Sequence, residues 1–297
     1  MASQPRTMSW LISCLPIFFV ILWSSAFISA KAILADSSAF ASLSLRFAIV
    51  CFGFVAAYLF IKTKKWLTWR EMQHAATTGI LMHGIYLGGV FWALSHGMSA
   101  TVAALIASLQ PVLVALLAGP LLAEKITVKQ WLGIICGFCG AVFVIGWDIG
   151  GAIPISALMV CIGALIASVA GTFYQKRYGQ DLPLIPANIT QAFAATCLHL
   201  VFLYFLEVPF IHVTTSYILG MAWQILAVSF GAYVMLLILL QRGTANQTSS
   251  LLFLIAPVAA VQAWLVLGEQ MTAIDVLGLC LASFGVYLAT RKNQTSA

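Results

Sequence analysis

Arg46 and His83 lie inside long apolar stretches of this 297-residue sequence, can carry a positive charge, and are the first candidates for chemistry. Arg46 lies about a third of the way into one stretch, and His83 lies near the middle of the next. A buried guanidinium could bind a carboxylate through two parallel hydrogen bonds, or it could tie the carbonyl groups of a helix end. An imidazole could exchange a proton near neutral pH, although a hydrogen bond between helices is the interpretation that we favour.

Acidic residues are placed quite differently, because none lies in the middle of an apolar stretch. The eight acids, which lie near the ends of the stretches or between them, are Asp36, Glu71, Glu124, Asp148, Asp181, Glu207, Glu269 and Asp275. A carboxylate at the centre of a membrane is a common carrier of protons or sodium ions. Its absence argues against strong coupling to an ion and against binding of a strongly cationic solute.

The sequence contains none of the motifs that carry enzyme chemistry. It has no Walker A loop, no dinucleotide glycine fingerprint and no HExxH motif. The seven cysteines are dispersed, so we expect neither a metal site nor a disulfide framework. We therefore expect no catalytic residue and no cofactor, and we expect that the protein is not an enzyme.

A second group of candidates consists of aromatic and polar side chains within the apolar stretches. His83 and Tyr86 share one face of a helix by their i, i+3 spacing, and Trp23 and Phe27 lie one turn apart. The full set of candidate substrate-binding residues is Trp23, Ser24, Phe27, Arg46, His83, Tyr86, Tyr174, Tyr233 and Gln262. Together they would form a mostly apolar pocket suited to amphiphilic organic solutes. For any single aromatic residue, packing or lipid contact is the alternative.

The elements that must position these residues follow from the composition. The chain is 62% hydrophobic and 7% charged, whereas soluble proteins have roughly 25% charged residues. This composition excludes a soluble enzyme, a nucleic-acid-binding domain and a disordered chain. At roughly 20 apolar residues per spanning helix, the predicted segments are 10–33, 39–61, 74–94, 99–122, 128–147, 153–174, 184–206, 215–240, 244–267 and 272–290. We predict an all-α integral membrane protein with ten transmembrane helices.

Positive charges predict the orientation of these helices. With the N-terminus in the cytoplasm, twelve of the fourteen Lys and Arg residues lie on the inner side, as cytoplasmic loops prefer. These twelve are Arg6, Lys62, Lys64, Lys65, Arg70, Lys125, Lys129, Lys176, Arg177, Arg242, Arg291 and Lys292. The net charge of +6 is therefore a topological signal and does not indicate a nucleic-acid partner.

An internal repeat relates the two halves of the chain. Pro111 and Pro257 are 146 positions apart, and each precedes an apolar run that ends in Leu-Ala-Glu or Leu-Gly-Glu. We place the repeats at residues 1–148 and 149–297. Each holds five predicted spans, an odd number, so the second repeat is inverted in the membrane. Inverted repeats with a binding site at their interface are a secondary-transporter design.

Small and helix-breaking residues also occur at matched positions. Pro111 and Pro257 fall inside the fourth and ninth predicted helices, where each would remove a backbone hydrogen bond and act as a hinge or as a simple kink. Glycines and alanine in the fifth and tenth helices permit close helix approach: Gly133, Gly137, Gly278, Ala282 and Gly285. We favour packing within one chain over dimerisation, and we expect a monomer or a weak homodimer.

These motifs resemble the drug/metabolite transporter (DMT) superfamily, and more specifically its EamA-type ten-helix exporters. The resemblance rests on Leu122–Thr127 with Trp131-Leu132-Gly133, on the second copy Leu267–Thr272, and on Trp23–Phe27 with Leu45-Arg46-Phe47. It implies export of small metabolites such as amino acids, or of drugs, across the bacterial inner membrane. One departure is that Ala192 stands where the repeat would place a second arginine.

The sequence therefore predicts a secondary transporter that exports amino acids or related zwitterionic or neutral solutes by alternating access. The alternatives are a multidrug, toxic-cation or nucleoside exporter, and, outside transport, an intramembrane enzyme or receptor. The expected partners are a small-molecule substrate and the lipid bilayer. The expected location is the bacterial inner membrane, with both termini in the cytoplasm.

Overall fold

The computed structural model is all-helical in the part of the chain that it describes. It describes residues 6–61, 65–98, 109–122, 127–145, 154–242, 250–255 and 273–290, together with the single positions 103, 106, 107, 248, 258, 261, 262 and 265. The helices are α1 (Arg6–Leu34), α2 (Ala39–Leu59), α3 (Trp69–Ser95), α4 (Gln110–Leu122), α5 (Val128–Ile145), α6 (Ile155–Tyr178), α7 (Leu184–Leu206), α8 (Thr215–Arg242) and α9 (Ala273–Thr290). A short 3₁₀ turn covers Leu251–Leu254.

Six helices of the described part are long and apolar enough to cross a membrane. They are α2, α3, α6, α7, α8 and the Cys14–Leu34 portion of α1. The fourth and ninth predicted spans lie partly outside the described residues, so the count of ten stays a prediction. The helical structure of the described spans has a physical reason, because a helix pairs its backbone polar groups within itself where lipid offers no partner.

The start of α3 differs from the sequence prediction for a local reason. The apolar pattern predicts a helix from residue 74, but the helix begins at Trp69. The Thr68 hydroxyl accepts a hydrogen bond from the Glu71 backbone N–H, and the Glu71 carboxylate accepts one from the Thr68 N–H at 2.7 Å. This capping box satisfies two backbone donors at the helix start and extends α3 beyond its apolar run.

Helices α3 and α8 each contain a segment of π-helix in the middle. The segments are Ile80–Leu87 and Gln224–Ala232, and their first residues are 144 positions apart, close to the offset of the sequence repeat. A π-helix widens the turn and occurs frequently at functional sites. The two halves thus share a local distortion at matched places, which the hydrophobic pattern did not predict.

Helices from the two halves of the chain pack against each other. In the described part, α2 and α3 from the first half contact α7 from the second, α3 also contacts α6, and α1 contacts α8. Gly79 of α3 allows a very close approach, since a Cβ there would lie 2.5 Å from the backbone of Gln191 in α7. The space between the halves is therefore lined by both of them.

Hydrogen bonds show which helix ends lie at the same end of the bundle. The Glu207 carboxylate accepts from the Phe40 N–H at 2.8 Å, which brings the α1–α2 and α7–α8 connections together. Near the opposite ends of these helices, Lys176 donates to the Leu240 carbonyl at 2.9 Å. Glu207 and Lys176 thus mark opposite ends of the bundle.

The small residues of α5 and α9 pack within the chain. A Cβ added to Gly285 of α9 would lie 2.6 Å from the Gly133 carbonyl oxygen and would also collide with the Gly137 backbone nitrogen of α5. The fifth and tenth predicted helices therefore use these glycines for intramolecular contact, as we favoured from the sequence.

This contact predicts the effect of adding one methyl group. We expect Gly285→Ala to lower the free energy of unfolding by about 1–3 kcal/mol, the usual cost of overpacking. The measurement is the thermal unfolding midpoint of the purified protein in detergent. Gly163→Ala in α6 is the matched control, because a Cβ there meets nothing within 4 Å. Equal midpoints for the two variants would contradict the close α5–α9 approach.

Candidate functional site

A cavity of about 70 Å³ lies between the helices of the two halves. Its described lining comes from α1, α2 and α3 of the first half and from α6, α7 and α8 of the second, with Gln110 contributed by α4 and Thr248 and Leu252 by the chain after α8. Most of the lining is apolar. Within the described part of the chain no acidic side chain lines this cavity, whereas Arg46 and His83 both do.

Arg46 of α2 is the charged group of the described cavity lining. Its side chain is only 4% exposed, and its Nε donates to the Ser229 hydroxyl oxygen in the π-helical segment of α8 at 3.0 Å. The guanidinium carbon lies 5.2 Å from the centre of the Phe47 ring. Arg46 is therefore held by a contact between the two halves of the chain.

His83 of α3 lies among aromatic rings. Its ring centre is 4.8 Å from that of Phe47 and 4.0 Å from that of Tyr233. Its Nδ1 is buried without a hydrogen-bond partner among the described residues. Among the described residues, Nδ1 thus does not make the hydrogen bond between helices that we favoured from the sequence.

The aromatic candidates Trp23, Tyr86 and Tyr233 also line the cavity. Tyr86 packs with Val90 and Trp23 in one apolar cluster. The Tyr233 hydroxyl donates to the Gln191 side-chain oxygen of α7 at 2.6 Å. These three residues come from α1, α3 and α8, so the structure brings together aromatic residues from distant parts of the sequence.

The cavity is also lined by a group of polar residues that were not selected from the sequence. The Ser168 hydroxyl donates to the Gln110 side-chain oxygen at 2.8 Å, and the Gln110 amide donates to the Thr172 hydroxyl oxygen at 3.2 Å. The other polar members are Asn188, Gln224, Ser229 and Thr248. Amide side chains within apolar helices are the signal that would have found several of them, since polar groups in a membrane face the bundle interior.

Three candidates lie outside the cavity lining. The Ser24 hydroxyl is fully buried and donates to the Val20 carbonyl of its own helix at 2.7 Å. Tyr174 contacts the His74 ring nitrogen at 2.9 Å and borders a different groove between α4 and α6. The Gln262 amide donates to the Ile21 carbonyl at 2.8 Å. Apolar periodicity placed these residues in helices but did not tell which neighbour each one would face.

The remaining candidates from the sequence are the matched prolines Pro111 and Pro257 and the aromatic residue Phe27. Pro111 is buried and is the second residue of α4, so it lies in the first turn rather than in a helix interior. A backbone N–H in the first turn has no partner within the helix, so proline is tolerated there. Pro111 therefore does not remove a backbone hydrogen bond from α4, although the sequence led us to expect this loss. Pro257 and the Phe27 side chain lie outside the described residues, as do Glu124 and Glu269.

Comparison with known proteins supplies the family. The sequence profile of the EamA-like transporter family matches residues 10–146 and again residues 154–291. YvbV of Bacillus subtilis strain 168, described as an uncharacterized transporter, is 24% identical over 99% of this chain and 95% of its own length. YoaV of the same organism, described in the same way, is 24% identical over 91% of this chain and 93% of its own length.

The fold is also similar to that of a solved protein. One crystal structure superposes with a TM-score of 0.77 at 17% sequence identity, covering 94% of this chain and 97% of the other. The family profile matches two successive segments that together cover most of the chain, in agreement with the internal repeat in the sequence. The chain is a multi-pass membrane protein that belongs to the EamA-like transporter family.

Proposed function

We propose that this transporter exports small organic metabolites, namely amino acids or related zwitterionic or neutral solutes, across the bacterial inner membrane by alternating access. The observation that carries the proposal is the cavity between the two halves of the chain. Its described lining combines aromatic rings, amide and hydroxyl groups and one arginine, and includes no acidic side chain. Such a site offers an apolar surface for an organic side group and a few polar groups that fix its orientation.

The charge of the cavity supports this substrate class over cationic drugs. Arg46 is positively charged, and His83 can only add positive charge to the same space. A cationic solute would meet repulsion and no carboxylate among the described lining residues. A zwitterionic solute can instead direct its negative group toward Arg46 and its apolar part toward the aromatic residues.

The size of the cavity supports a change of conformation during each transport cycle. A volume of about 70 Å³ is well below the roughly 300–1000 Å³ of pockets that hold drug-sized ligands. Binding of an amino acid therefore requires helices or side chains to move. In our proposal the two halves, residues 1–148 and 149–297, are inverted five-helix repeats that exchange inward-open and outward-open arrangements.

The start of α4 and its repeat counterpart are the hinges of the proposed movement. Pro111 lies in the first turn of α4, next to the point where the chain enters this helix, and the adjacent Gln110 side chain connects α4 to Ser168 and Thr172 of α6. Bending at this point would move a polar part of the cavity wall. Pro257 holds the matching position of the second repeat.

The position of basic residues supports cytoplasmic termini. Lys176 and Arg177 end α6, and Arg242 ends α8 at the same end of the bundle, as the Lys176–Leu240 hydrogen bond indicates. Glu207 lies at the other end. Placing the basic end in the cytoplasm satisfies the positive-inside preference.

The first prediction concerns substrate class. Proteoliposomes with the purified protein should transport radiolabelled amino acids, aromatic ones included, at least tenfold faster than protein-free liposomes, and should not transport tetraphenylphosphonium or ethidium. Rates measured with and without a pH gradient test proton coupling, which we expect to be weak because no acid lines the described cavity. Transport of the cations or of nucleosides in place of amino acids would contradict the proposal.

The second prediction concerns the cavity residues. Alanine at Trp23, His83 or Tyr86 should each lower the transport rate by about tenfold, which corresponds to about 1.4 kcal/mol of lost transition-state stabilisation. Tyr174→Ala is the matched control, because Tyr174 lies outside the cavity lining, and its rate should stay within twofold. Rates are normalised to the amount of folded protein in the membrane. Unchanged rates for all three cavity variants would show that solutes take another path.

The third prediction concerns topology. In a variant without the seven native cysteines, Gln4→Cys and Thr295→Cys should both be protected from a membrane-impermeant maleimide in intact cells and labelled after permeabilisation. Val208→Cys is the control, because this exposed residue lies in the α7–α8 connection and should be labelled in intact cells. Termini on opposite sides would exclude two inverted five-helix repeats.

A further inference from the structure

We propose that Arg46 binds a carboxylate of the transported solute, and that Ser229 orients the guanidinium for this task. The inference rests on the proposed function, since it assigns the ligand of the same cavity. It defines the substrate class as small organic monocarboxylates with an apolar body. It also chooses between the two roles that the sequence left open for Arg46.

The burial of Arg46 is the starting point. Its side chain is 4% exposed and no acidic residue of the described chain lines the cavity with it. A buried cation without a counter-ion is unfavourable, and contact with the Phe47 ring at 5.2 Å offsets only part of this cost. An anionic group brought by the solute would supply the missing negative charge.

The hydrogen bonding of the guanidinium indicates which atoms the solute would meet. Nε donates to the Ser229 hydroxyl oxygen at 3.0 Å, and it is the one guanidinium nitrogen with a hydrogen-bond partner among the described residues. The two Nη atoms carry parallel donors, the arrangement that matches both oxygens of a carboxylate. A neutral amide offers a single oxygen to these donors, and an ammonium group offers none.

The alternative role, a structural tie to helix-end carbonyls, finds no support in these contacts. Arg46 lies within α2, and its partner Ser229 is a hydroxyl in the middle of α8. Among the described residues no carbonyl at a helix end accepts from Arg46. A tie of that kind would leave the Nη donors occupied, whereas here they remain available to a ligand in the cavity that Arg46 lines.

The surroundings of Arg46 define the rest of the ligand. Phe47 and Phe54 line the cavity on the same helix, and Trp23 and Tyr86 line it from α1 and α3. These side chains provide an apolar surface for the body of the solute. In the second half of the chain, Ala192 stands at the position that the repeat matches to Arg46. The cavity therefore offers one arginine from these two positions, which can bind one carboxylate.

Ser229 gives the site a connection between the two halves of the chain. It lies in the π-helical segment of α8, while Arg46 belongs to α2. The orientation of the guanidinium therefore depends on the relative position of α2 and α8. Occupation of Arg46 by a carboxylate would favour the arrangement in which this hydrogen bond is formed, and so Ser229 acts as a positioning residue.

The test uses three probes of the same shape: 3-phenylpropionate, 3-phenylpropionamide and 3-phenylpropylamine. Their binding to the purified full-length protein in detergent is measured by isothermal titration calorimetry, and their inhibition of transport is measured in proteoliposomes. The wild-type protein should bind the carboxylate at least tenfold more tightly than the amide, and the amide more tightly than the amine.

Variants assign this preference to Arg46. Arg46→Gln should reduce the carboxylate-to-amide ratio to within twofold, with a larger loss of carboxylate binding than of amide binding, and Arg46→Lys should give an intermediate ratio. Ser229→Ala should weaken carboxylate binding about three- to tenfold with little effect on the amide. Arg177→Gln is the matched control, since this exposed arginine lies outside the cavity lining, and its ratio should equal that of the wild type.

The outcomes separate this inference from the proposed function. Solute transport with equal carboxylate and amide binding would overturn the carboxylate site alone. Failure of the folded wild-type protein to bind or transport any organic solute would overturn both. Equal loss of carboxylate and amide binding in Arg46→Gln with a lower unfolding midpoint would indicate a structural role. If that variant does not fold, an unchanged ratio in both Arg46→Lys and Ser229→Ala would overturn the inference.

Discussion

The hydrocarbon core of the membrane offers no hydrogen-bond partner to the chain, and most of the structure follows from this constraint. Each helix pairs its own backbone groups, and polar side chains turn toward neighbouring helices. Gln224 of α8 donates to the Ala26 carbonyl and the Ser29 hydroxyl oxygen of α1. Tyr233 of α8 donates to Gln191 of α7. These polar side chains therefore lie in the interior of the bundle, where neighbouring helices supply their hydrogen-bond partners.

The same constraint explains why one arginine has such influence on the proposed function. A charge is expensive in this environment and is retained where it faces a cavity or a partner. Arg46 faces both, since it lines the cavity and donates to Ser229. The π-helical segment that contains Ser229 and the one that contains His83 both contribute residues to the lining of this cavity. The distortion of regular helix thus coincides with three polar residues of the lining, His83, Gln224 and Ser229.

Sequence reasoning succeeded where a periodic pattern or a charge bias extends over many residues. The apolar runs located α2, α7 and α8 within a few residues of their observed bounds, and the repeat agrees with the double match to the family profile. It was less successful with single side chains. Ser24 bonds its own helix and Tyr174 faces another groove, because apolar helices have polar residues whose direction depends on which neighbour packs against each face.

The sequence by itself determined that the chain is a helical membrane protein of two related halves, because composition and apolar run length are local properties that the bilayer converts directly into spanning helices. It also identified Arg46 and His83 as unusual. Only the tertiary structure decided that Arg46 meets Ser229, 183 positions away, and that Gln110, Ser168 and Thr172 share one wall of the cavity. These contacts arise from the packing of helices distant in sequence, and no local pattern records which faces will meet.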